Sequence, residues 1–293
     1  HIEQAGVHSG DSACILPAQS LPPQIEQQLT KQLKDIAQAI NIIGLLNAQF
    51  ALQGNRLYIL EVNPRASRTI PFISKATGRP LAKIGARVKV GHTLAEQNVL
   101  GPIKQNFYAV KQPVFPFKRF NHVDPILGPE MRSTGEVMAL ALHPETAFAK
   151  AWLASGQSLP KPGQALISVR DADKIAIIEI ARDLIKLNFT LIATQGTAAV
   201  LNQAGLKCQT VHKVTQGRPH IVDVIINGEA QFCIDTTSGK QAISDSTMIR
   251  HSALSHHIPY STTLTGAHAL VRAMLYQHSE SLETLQTILG LNT

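Results

Sequence analysis

The chain has 293 residues, 44% of them apolar, and a net charge of +7, which predicts a globular protein with about two domain cores. Its three cysteines, Cys14, Cys208 and Cys233, are far apart and lack metal-ligand spacing, so we expect reduced thiols in the cytoplasm. The sequence contains neither an apolar run of about eighteen residues nor a basic-then-apolar leader, and we expect no membrane association. Because the chain opens at His1 in a polar segment, we expect it to be a piece of a longer polypeptide.

The positive charge is unevenly distributed. Residues 1–156 contain 16 Lys and Arg against 10 Asp and Glu, whereas the remainder contains 11 against 10. Seven of the positive residues fall in residues 65–89, a stretch without acids. Nucleic-acid binding is one interpretation, but the stretch is poor in aromatic residues that would stack on bases. We therefore expect no nucleic-acid partner, and a small polyphosphate ligand for Arg65 and Arg68.

The first predicted elements are a loop and two helices. Residues 1–13 are polar and glycine-containing, which is typical of a loop. Apolar residues at helical spacing predict a helix that begins at Pro22 and ends at Gly44. A second helix is predicted from Pro80 to Gly91.

A β-hairpin is predicted between these helices. Two short apolar runs, residues 45–52 and 57–65, flank a Gly-Asn pair that is typical of a hairpin turn. A three-residue loop at 54–56 pairs Gln49 with Glu61, and Asn47 with Asn63. A two-residue loop would shift this register by one step.

One face of the predicted hairpin carries oxygen donors beside a positive charge. Gln49, Glu61 and Asn63 project from the same face, and Arg65 follows. Mg²⁺ needs such donors when it also holds nucleotide phosphates. A solvated polar face is the alternative interpretation, but Glu61 lies within an apolar run, where a lone carboxylate requires a partner.

The rest of the first half is predicted to be irregular before one further strand. Residues 113–129 are rich in proline, and residues 133–140 have the pattern of a strand. Gly, Ser and Pro in residues 155–163 indicate a linker, and we place a domain boundary near residue 156. The first half is therefore expected to be an α+β unit with an antiparallel sheet.

The second half alternates strands with helices, which predicts a parallel sheet with helices on both faces. The predicted strands are residues 165–169, 189–193, 208–211, 231–235 and 258–260.

Two loops at the carboxyl ends of these strands have the chemistry of a phosphate site. They are residues 194–197 and 236–239, where hydroxyls, backbone N–H groups and helix N-termini can hold a phosphate. Lys174 and Lys213 follow the first and third strands, at the same sheet edge. Simple N-capping is the alternative for either loop alone, but together these features favour a phosphorylated ligand.

Three segments resemble a known family: HIEQAGVHSGDSACILP (residues 1–17), EVNPRASR (61–68) and LGPEMRSTGE (127–136). They are similar to the carboxyl-terminal part of the carbamoyl phosphate synthase large chain, and the similarity extends along nearly the whole sequence. The implied fold class is α/β: a partial ATP-grasp unit (residues 1–156), then a doubly wound, methylglyoxal synthase-like (MGS-like) regulatory domain (157–293). The implied function is glutamine-dependent carbamoyl phosphate synthesis for pyrimidine and arginine biosynthesis.

The resemblance also implies an ATP site and an effector site. The residues implied to line ATP are Gly6, Val7, His8, Ser9, Gln49 and Glu61. Two Mg²⁺ or Mn²⁺ ions would be held by Gln49, Glu61 and Asn63, and Arg65 would face the reacting oxygens as the catalytic residue. The implied effector site for UMP or IMP comprises Lys174, Thr194, Thr197, Lys213, Asp235, Thr236 and Thr237. Asp235 departs from the family's Asn, which puts the affinity for the effector phosphate in doubt.

Ornithine activation in the family implies a third site, formed here by Glu3, Asp11, Gln112, Tyr260 and Thr262. Because Gln112 replaces an expected glutamate, we predict a weak or absent response to ornithine. The implied partners are the remainder of the large chain and a glutaminase small chain, in an oligomer. The present residues lack one side of the ATP site, and we expect no turnover from them alone.

Two other classes of function are compatible with parts of the sequence. Residues 165–169 and 194–197 also resemble the cyclohydrolase domain of purine biosynthesis, a stand-alone enzyme of the same fold. That family's VKTLHP motif is absent, and residues 217–220 read GRPH instead. The GGDQ loop of methylglyoxal synthase is also missing. A nucleic-acid-binding module, motivated by the basic pI of about 9.4, is the third class. A shallow salt dependence of ligand binding would count against it, since many phosphate contacts give a steep one.

Overall fold

The computed structural model describes residues 2–101, 103, 106–117, 124–237, 240–276 and 284–288. The elements of its first half are β1 (Cys14–Leu16), α1 (Pro23–Ala39), β2 (Asn47–Gln53), β3 (Arg56–Asn63), α2 (Ile70–Thr77), α3 (Leu81–Lys89), β4 (Tyr108–Val114), β5 (Gly135–Ala141) and α4 (Pro144–Ala154). Within the described ranges, none of the helices combines the length and apolarity needed to cross a bilayer.

The sheets of the first half are antiparallel, as predicted. Strands β1, β4 and β5 form one sheet with β4 in the centre, and β2 and β3 form a separate hairpin. The sequence pattern missed β1, α2 and β4. Strand β4 ends at Val114, so only its end overlaps the segment predicted to be irregular, and part of that segment, residues 118–123, lies outside the described residues.

Two predicted boundaries were wrong: the end of the first helix and the start of one strand. Helix α1 ends at Ala39, before Asn41 adopts a φ of 50° that a continuing helix does not allow. The strand predicted at residues 133–140 is β5, which begins two residues later, because Ser133 donates its backbone N–H to Asp11 instead of to a neighbouring strand. Helix α3 agrees with the helix predicted between Pro80 and Gly91.

The hairpin has the predicted residue pairs at the end away from its turn, but the turn itself differs from the prediction. Gln49 pairs with Glu61, and Asn47 with Asn63, as predicted. The turn, however, contains two residues, since Gln53 pairs with Arg56, and Gly54 takes the positive φ of 59° that such turns favour. A β-bulge between Gln49 and Phe50 absorbs the one-residue shift.

The second half is a five-stranded parallel sheet in the order β10-β9-β6-β7-β8. Its elements are β6 (Gln164–Val169), α5 (Ile177–Lys186), β7 (Thr190–Thr194), α6 (Gln195–Gln203), β8 (Cys208–Val211), α7 (Ile221–Ile226), β9 (Ala230–Thr236), α8 (Lys240–Ser255), β10 (Tyr260–Ser261), α9 (Leu264–Tyr276) and α10 (Leu285–Ile288). The predicted fold class is confirmed. The fifth strand begins two residues later than predicted, because the Ile258 N–H bonds Ala253 O at the end of α8.

Alternating side chains explain the helices on both faces of this sheet. Ala165 and Ile167 of β6 pack in the apolar cluster that contains α5 and α9, whereas Leu166 packs with α7 and α8. All three are fully buried. Because β6 is also the central strand of the sheet, its two faces contribute to both apolar clusters.

The first of these clusters also includes helix α4. Ala147, Ala151 and Trp152 of α4 are buried with the residues of β6, α5 and α9. One apolar core therefore spans residue 156, where the sequence predicts a boundary. The position of that boundary stays a prediction.

Candidate functional sites

A cavity of about 700 Å³ lies between the hairpin, the segment that leads into β1, and strands β4 and β5. The predicted residues that line it are His8, Ser9, Gln49, Glu61, Asn63, Arg65 and Arg68. Gly6 and Val7 do not line it: Val7 is buried and Gly6 is exposed. The structure therefore brings together most, but not all, of the residues implied for ATP.

The hairpin presents the three predicted oxygen-bearing side chains to this cavity, and Asn47, the partner of Asn63, lines it as well. Gln49 and Glu61 are paired, and Asn63 follows Glu61 by two positions, hence on the same face. The Asn63 amide donates to Glu61 Oε1 at 2.9 Å. This hydrogen bond uses the amide nitrogen of Asn63, so its amide oxygen can act as a ligand to a cation. One carboxylate and two amide oxygens suit Mg²⁺ or Mn²⁺, so the residues fit the implied metal.

A buried carboxylate fixes the loop of residues 8–12. Asp11 is fully buried and accepts the backbone N–H groups of Arg132 at 2.8 Å and Ser133 at 2.9 Å. His8 donates its N–H to Gly128 O at 2.8 Å, and His8 Nδ1 accepts the N–H of Gly10 at 3.0 Å. The loop thus holds His8 and Ser9 at the cavity through contacts with the segment before β5.

Sequence reasoning missed two charged residues in this cavity. Lys111 is only 2% exposed, donates to Ser9 O at 2.9 Å, and lies 3.8 Å from Glu136 Oε2. Both side chains line the cavity. A lysine in the middle of an apolar strand is the same signal that singled out Glu61, and it could have identified Lys111. The expectation of burial behind that signal holds for Lys111 but was wrong for Glu61, which is exposed.

A second cavity, of about 90 Å³, lies between the two halves of the chain. It is lined by Glu3, Gln112, Tyr260 and Thr262, four of the five residues implied for ornithine. The fifth, Asp11, does not line this cavity, because its carboxylate accepts the N–H groups of Arg132 and Ser133. Burial raises the pKa of Glu3 to about 7, and the side-chain oxygen of Gln112 has no hydrogen-bond partner in the part of the chain that the structure describes. The cavity therefore offers acceptor groups but weak negative charge.

The third cavity, of about 180 Å³, lies at the carboxyl edge of the parallel sheet and is here called the effector rim. Its predicted lining residues are Thr194, Lys213, Thr236 and Thr237, and those missed from the sequence are Ser168, Arg170, Thr215 and Ser246. Loops after β7 and β9 meet here because these strands flank β6. The Thr194 side chain makes no capping hydrogen bond, which weakens the N-capping interpretation.

Three predicted effector residues lie beside or beneath this rim. Thr197 is buried and accepts a hydrogen bond from Thr194 Oγ1 at 3.5 Å. Lys174 packs over Gly196, where an added Cβ would approach its Nζ to 2.6 Å, and pairs with Asp171 at 2.6 Å. Residues 238–239 of the predicted 236–239 loop lie outside the described residues.

Asp235 is the third residue beneath the rim. It is 2% exposed, and its Oδ2 lies 3.4 Å from Arg250 Nη1. Burial raises the pKa of Asp235 to about 7, although the charge of Arg250 opposes this shift. The carboxyl group therefore changes its charge near neutral pH.

We expect Asp235→Asn to stabilise the protein increasingly as pH rises. The pKa of Asp235 is about 7 in the folded protein, against an ordinary value of 3.8, so its favourable contribution is present below pH 4 and is lost as pH rises through 7. At pH 9 the variant should be more stable by about 1–3 kcal/mol, and at pH 5 by much less. Urea unfolding at both pH values measures this difference. Asp171→Asn, at an exposed carboxylate, is the control, and an equal gap at both pH values would contradict the prediction.

Comparison with known proteins gives a family match in each half of the chain. Residues 2–97 match the family "Carbamoyl-phosphate synthase L chain, ATP binding domain", and residues 176–262 match the "MGS-like domain". Among solved structures, the biotin carboxylase domain of a single-chain bacterial carboxylase has 16% identity and a TM-score of 0.36, covering 47% of this chain and 40% of that one. This overlap is too low to bear on the fold.

Curated relatives match almost the whole chain. The carbamoyl phosphate synthase large chain of Xanthomonas axonopodis pv. citri is 52% identical over 293 residues, covering 98% of this chain and 27% of that protein. The large chain of Pseudomonas aeruginosa is 50% identical over 288 residues, with the same two coverages. The chain thus spans about a quarter of the length of these relatives. Since the identity extends across both halves and both family models match, the chain belongs to the carbamoyl phosphate synthase large-chain family.

Proposed function

We propose that the chain is part of a glutamine-dependent carbamoyl phosphate synthase, an ATP-dependent ligase that phosphorylates carbamate for pyrimidine and arginine biosynthesis. The observation that carries the proposal is the meeting of His8, Ser9, Glu61 and Arg65 in one cavity. A stand-alone cyclohydrolase or methylglyoxal synthase is disfavoured, because the curated matches to the large chain cover 98% of the sequence.

The residues of the first cavity would position ATP and neutralise its charge. Phosphoryl transfer depends mainly on positioning and on neutralising the oxygens of the transferred group. Arg65 is exposed at the cavity and would face those oxygens. His8 and Ser9 would line the nucleotide. Mg²⁺ or Mn²⁺ held by Gln49, Glu61 and Asn63 would supply further positive charge to the phosphates.

The remainder of the site would come from partners. We propose that the rest of the large chain supplies the opposite side of the ATP site, and a glutaminase small chain the ammonia, in a cytoplasmic oligomer. The 293 residues would not turn over substrate alone. We place the boundary between the ATP-grasp part and the MGS-like part near residue 156.

The second half would sense a nucleoside monophosphate, UMP or IMP, at the effector rim. Thr194, Lys213 and Thr237 line it and would hold the phosphate. Lys174 and Thr197 would support the loop after β7 from beside and below. Asp235 would remain beneath the rim, paired with Arg250.

Glu61→Gln tests the metal site. The change removes the hairpin's only cavity-facing carboxylate among its described residues, so kcat should fall by about 10²–10³-fold and the Mg²⁺ requirement should rise. Steady-state assays of the complete enzyme measure both quantities. Arg56→Gln, at the exposed turn end of β3, should leave both unchanged. Wild-type activity in Glu61→Gln would refute the assignment.

Calorimetric titration of the complete large chain with UMP and IMP tests the effector rim. Wild type should bind at least one of them, and Lys213→Gln or Thr194→Ala should weaken binding by about tenfold through loss of a charge-assisted or hydroxyl contact. Lys186→Gln, at an exposed ion pair on α5, is the matched control. If neither nucleotide binds wild type, the rim is not their site.

Gln112→Glu tests the altered ornithine site. Gln112 is 4% exposed and lines the second cavity, so an added carboxylate should strengthen recognition of a cationic amine. The unchanged enzyme should show weak or absent activation by ornithine, and the variant a stronger one. Strong activation of the unchanged enzyme, lost in Glu3→Gln but insensitive to Gln112→Glu, would overturn this interpretation.

A further inference from the structure

Arg250 of α8 joins the two halves of the chain. Its side chain is 1% exposed. The guanidinium donates through Nε to Asp124 Oδ1 at 2.8 Å and through Nη2 to Asp124 Oδ2, while Nη1 lies 3.4 Å from Asp235 Oδ2. Thr247 Oγ1 also donates to Asp124, at 3.1 Å. A buried arginine thus holds one carboxylate from each half.

One end of this contact lies beneath the effector rim. Asp235 immediately precedes Thr236 and Thr237, both of which line the rim. Ser246 and Ile249 line it too, and they lie within about one helical turn of Arg250 on α8. A ligand at the rim would therefore contact groups adjacent to both members of the Asp235–Arg250 pair.

The other end continues to the loop of residues 8–12. Arg132 Nη1 donates to the backbone oxygen of Asp124. The N–H groups of Arg132 and Ser133 hold the Asp11 carboxylate, and Ser133 Oγ donates to Gly10 O at 3.1 Å. Every link from Asp235 to Gly10 is thus an ion pair, a hydrogen bond or the covalent chain.

The charges in this chain of contacts make its links interdependent. Asp124 is half-buried, and although burial opposes it, the hydrogen bonds and charge of Arg250 hold the Asp124 pKa below its usual range. Arg250 is shared between two carboxylates, so any movement of Asp235 changes how the guanidinium is held. Such contacts inside a low-dielectric region are sensitive to small displacements.

We propose that Arg250 and Arg132 are the positioning residues through which the nucleotide sensing proposed above reaches the loop of residues 8–12, and with it the first cavity. The inference rests on the proposed function for the identity of both ligands. The positioning of the loop does not depend on either. Coupling of this kind is reciprocal, since ATP must change effector affinity by the same factor.

Arg132→Gln is the informative variant, because removing the buried Arg250 would leave two carboxylates unpaired and could unfold the protein. Arg132→Gln removes only the Nη1 contact to Asp124 and keeps the backbone N–H that holds Asp11. Asp124→Asn is the second variant. Arg272→Gln is the matched control, since Arg272 also bonds a carboxylate of the other half, Glu145, at 3.0 Å, but lies outside this chain of contacts.

The first measurement needs no ligand. Hydrogen exchange in the complete large chain should be at least fivefold faster at the His8, Gly10 and Asp11 amides in Arg132→Gln and Asp124→Asn, and unchanged there in Arg272→Gln. Unchanged exchange in both test variants overturns the proposal, whatever ligands the protein binds.

The second measurement compares UMP dissociation constants with and without a saturating, non-hydrolysable ATP analogue and Mg²⁺. Wild type and Arg272→Gln should show a ratio that differs from one by at least fivefold. In both test variants, the ratio of the two dissociation constants should lie within twofold of one. A ratio of one in wild type, or a wild-type ratio in the test variants, overturns the coupling. If UMP does not bind wild type, IMP takes its place in this measurement. Failure of both nucleotides to bind wild type refutes the proposed effector and leaves the exchange result to decide the positioning role.

Discussion

One apolar core holds both halves of the chain in a fixed relation. Ala147 and Ala151 of α4 are completely buried against the residues of β6, α5 and α9. Small residues on α4 allow this close approach, and the buried area makes sliding of one half over the other costly. Val110 of β4 and Ala139 of β5 belong to the same core, so packing sets the distance between the β4–β5 side of the first cavity and the effector rim. The polar contacts between the halves form beside this core.

That framework permits buried charges, which in turn need partners. Lys111 has Ser9 O and Glu136, and Arg250 has Asp124 and Asp235. Where pairing is incomplete, burial governs ionisation: the pKa values of Glu3 and Asp235 rise to about 7. Two carboxyl groups, Glu3 at the second cavity and Asp235 beneath the effector rim, thus titrate near neutral pH for the same physical reason. Burial therefore sets the protonation state of the incompletely paired groups at these sites.

Sequence patterns predicted the parts of the fold governed by local rules. Alternation of apolar residues and turn chemistry gave the parallel sheet and the hairpin, and the apolar surroundings of Glu61 singled out the candidate metal face. The patterns missed β1 and α2, which are short, and the real turn length, because a bulge depends on the partner strand. Asp11 illustrates the main limit. Its partners, Arg132 and Ser133, are more than 120 positions away, and no local pattern shows that its carboxylate is engaged by backbone N–H groups.

The bulge at Gln49 and Phe50 divides the hairpin into two segments whose side-chain alternation is set separately. On the turn side, Gly54 and Asn55 are exposed, and on the other side the paired residues face the cavity. An extra residue at the tip would disturb only the short stretch beyond the bulge. The tip is thus a natural place to attach a peptide tag or a fluorescent label, because Gln49, Glu61 and Asn63 lie on the other side of the bulge and would keep their positions at the first cavity.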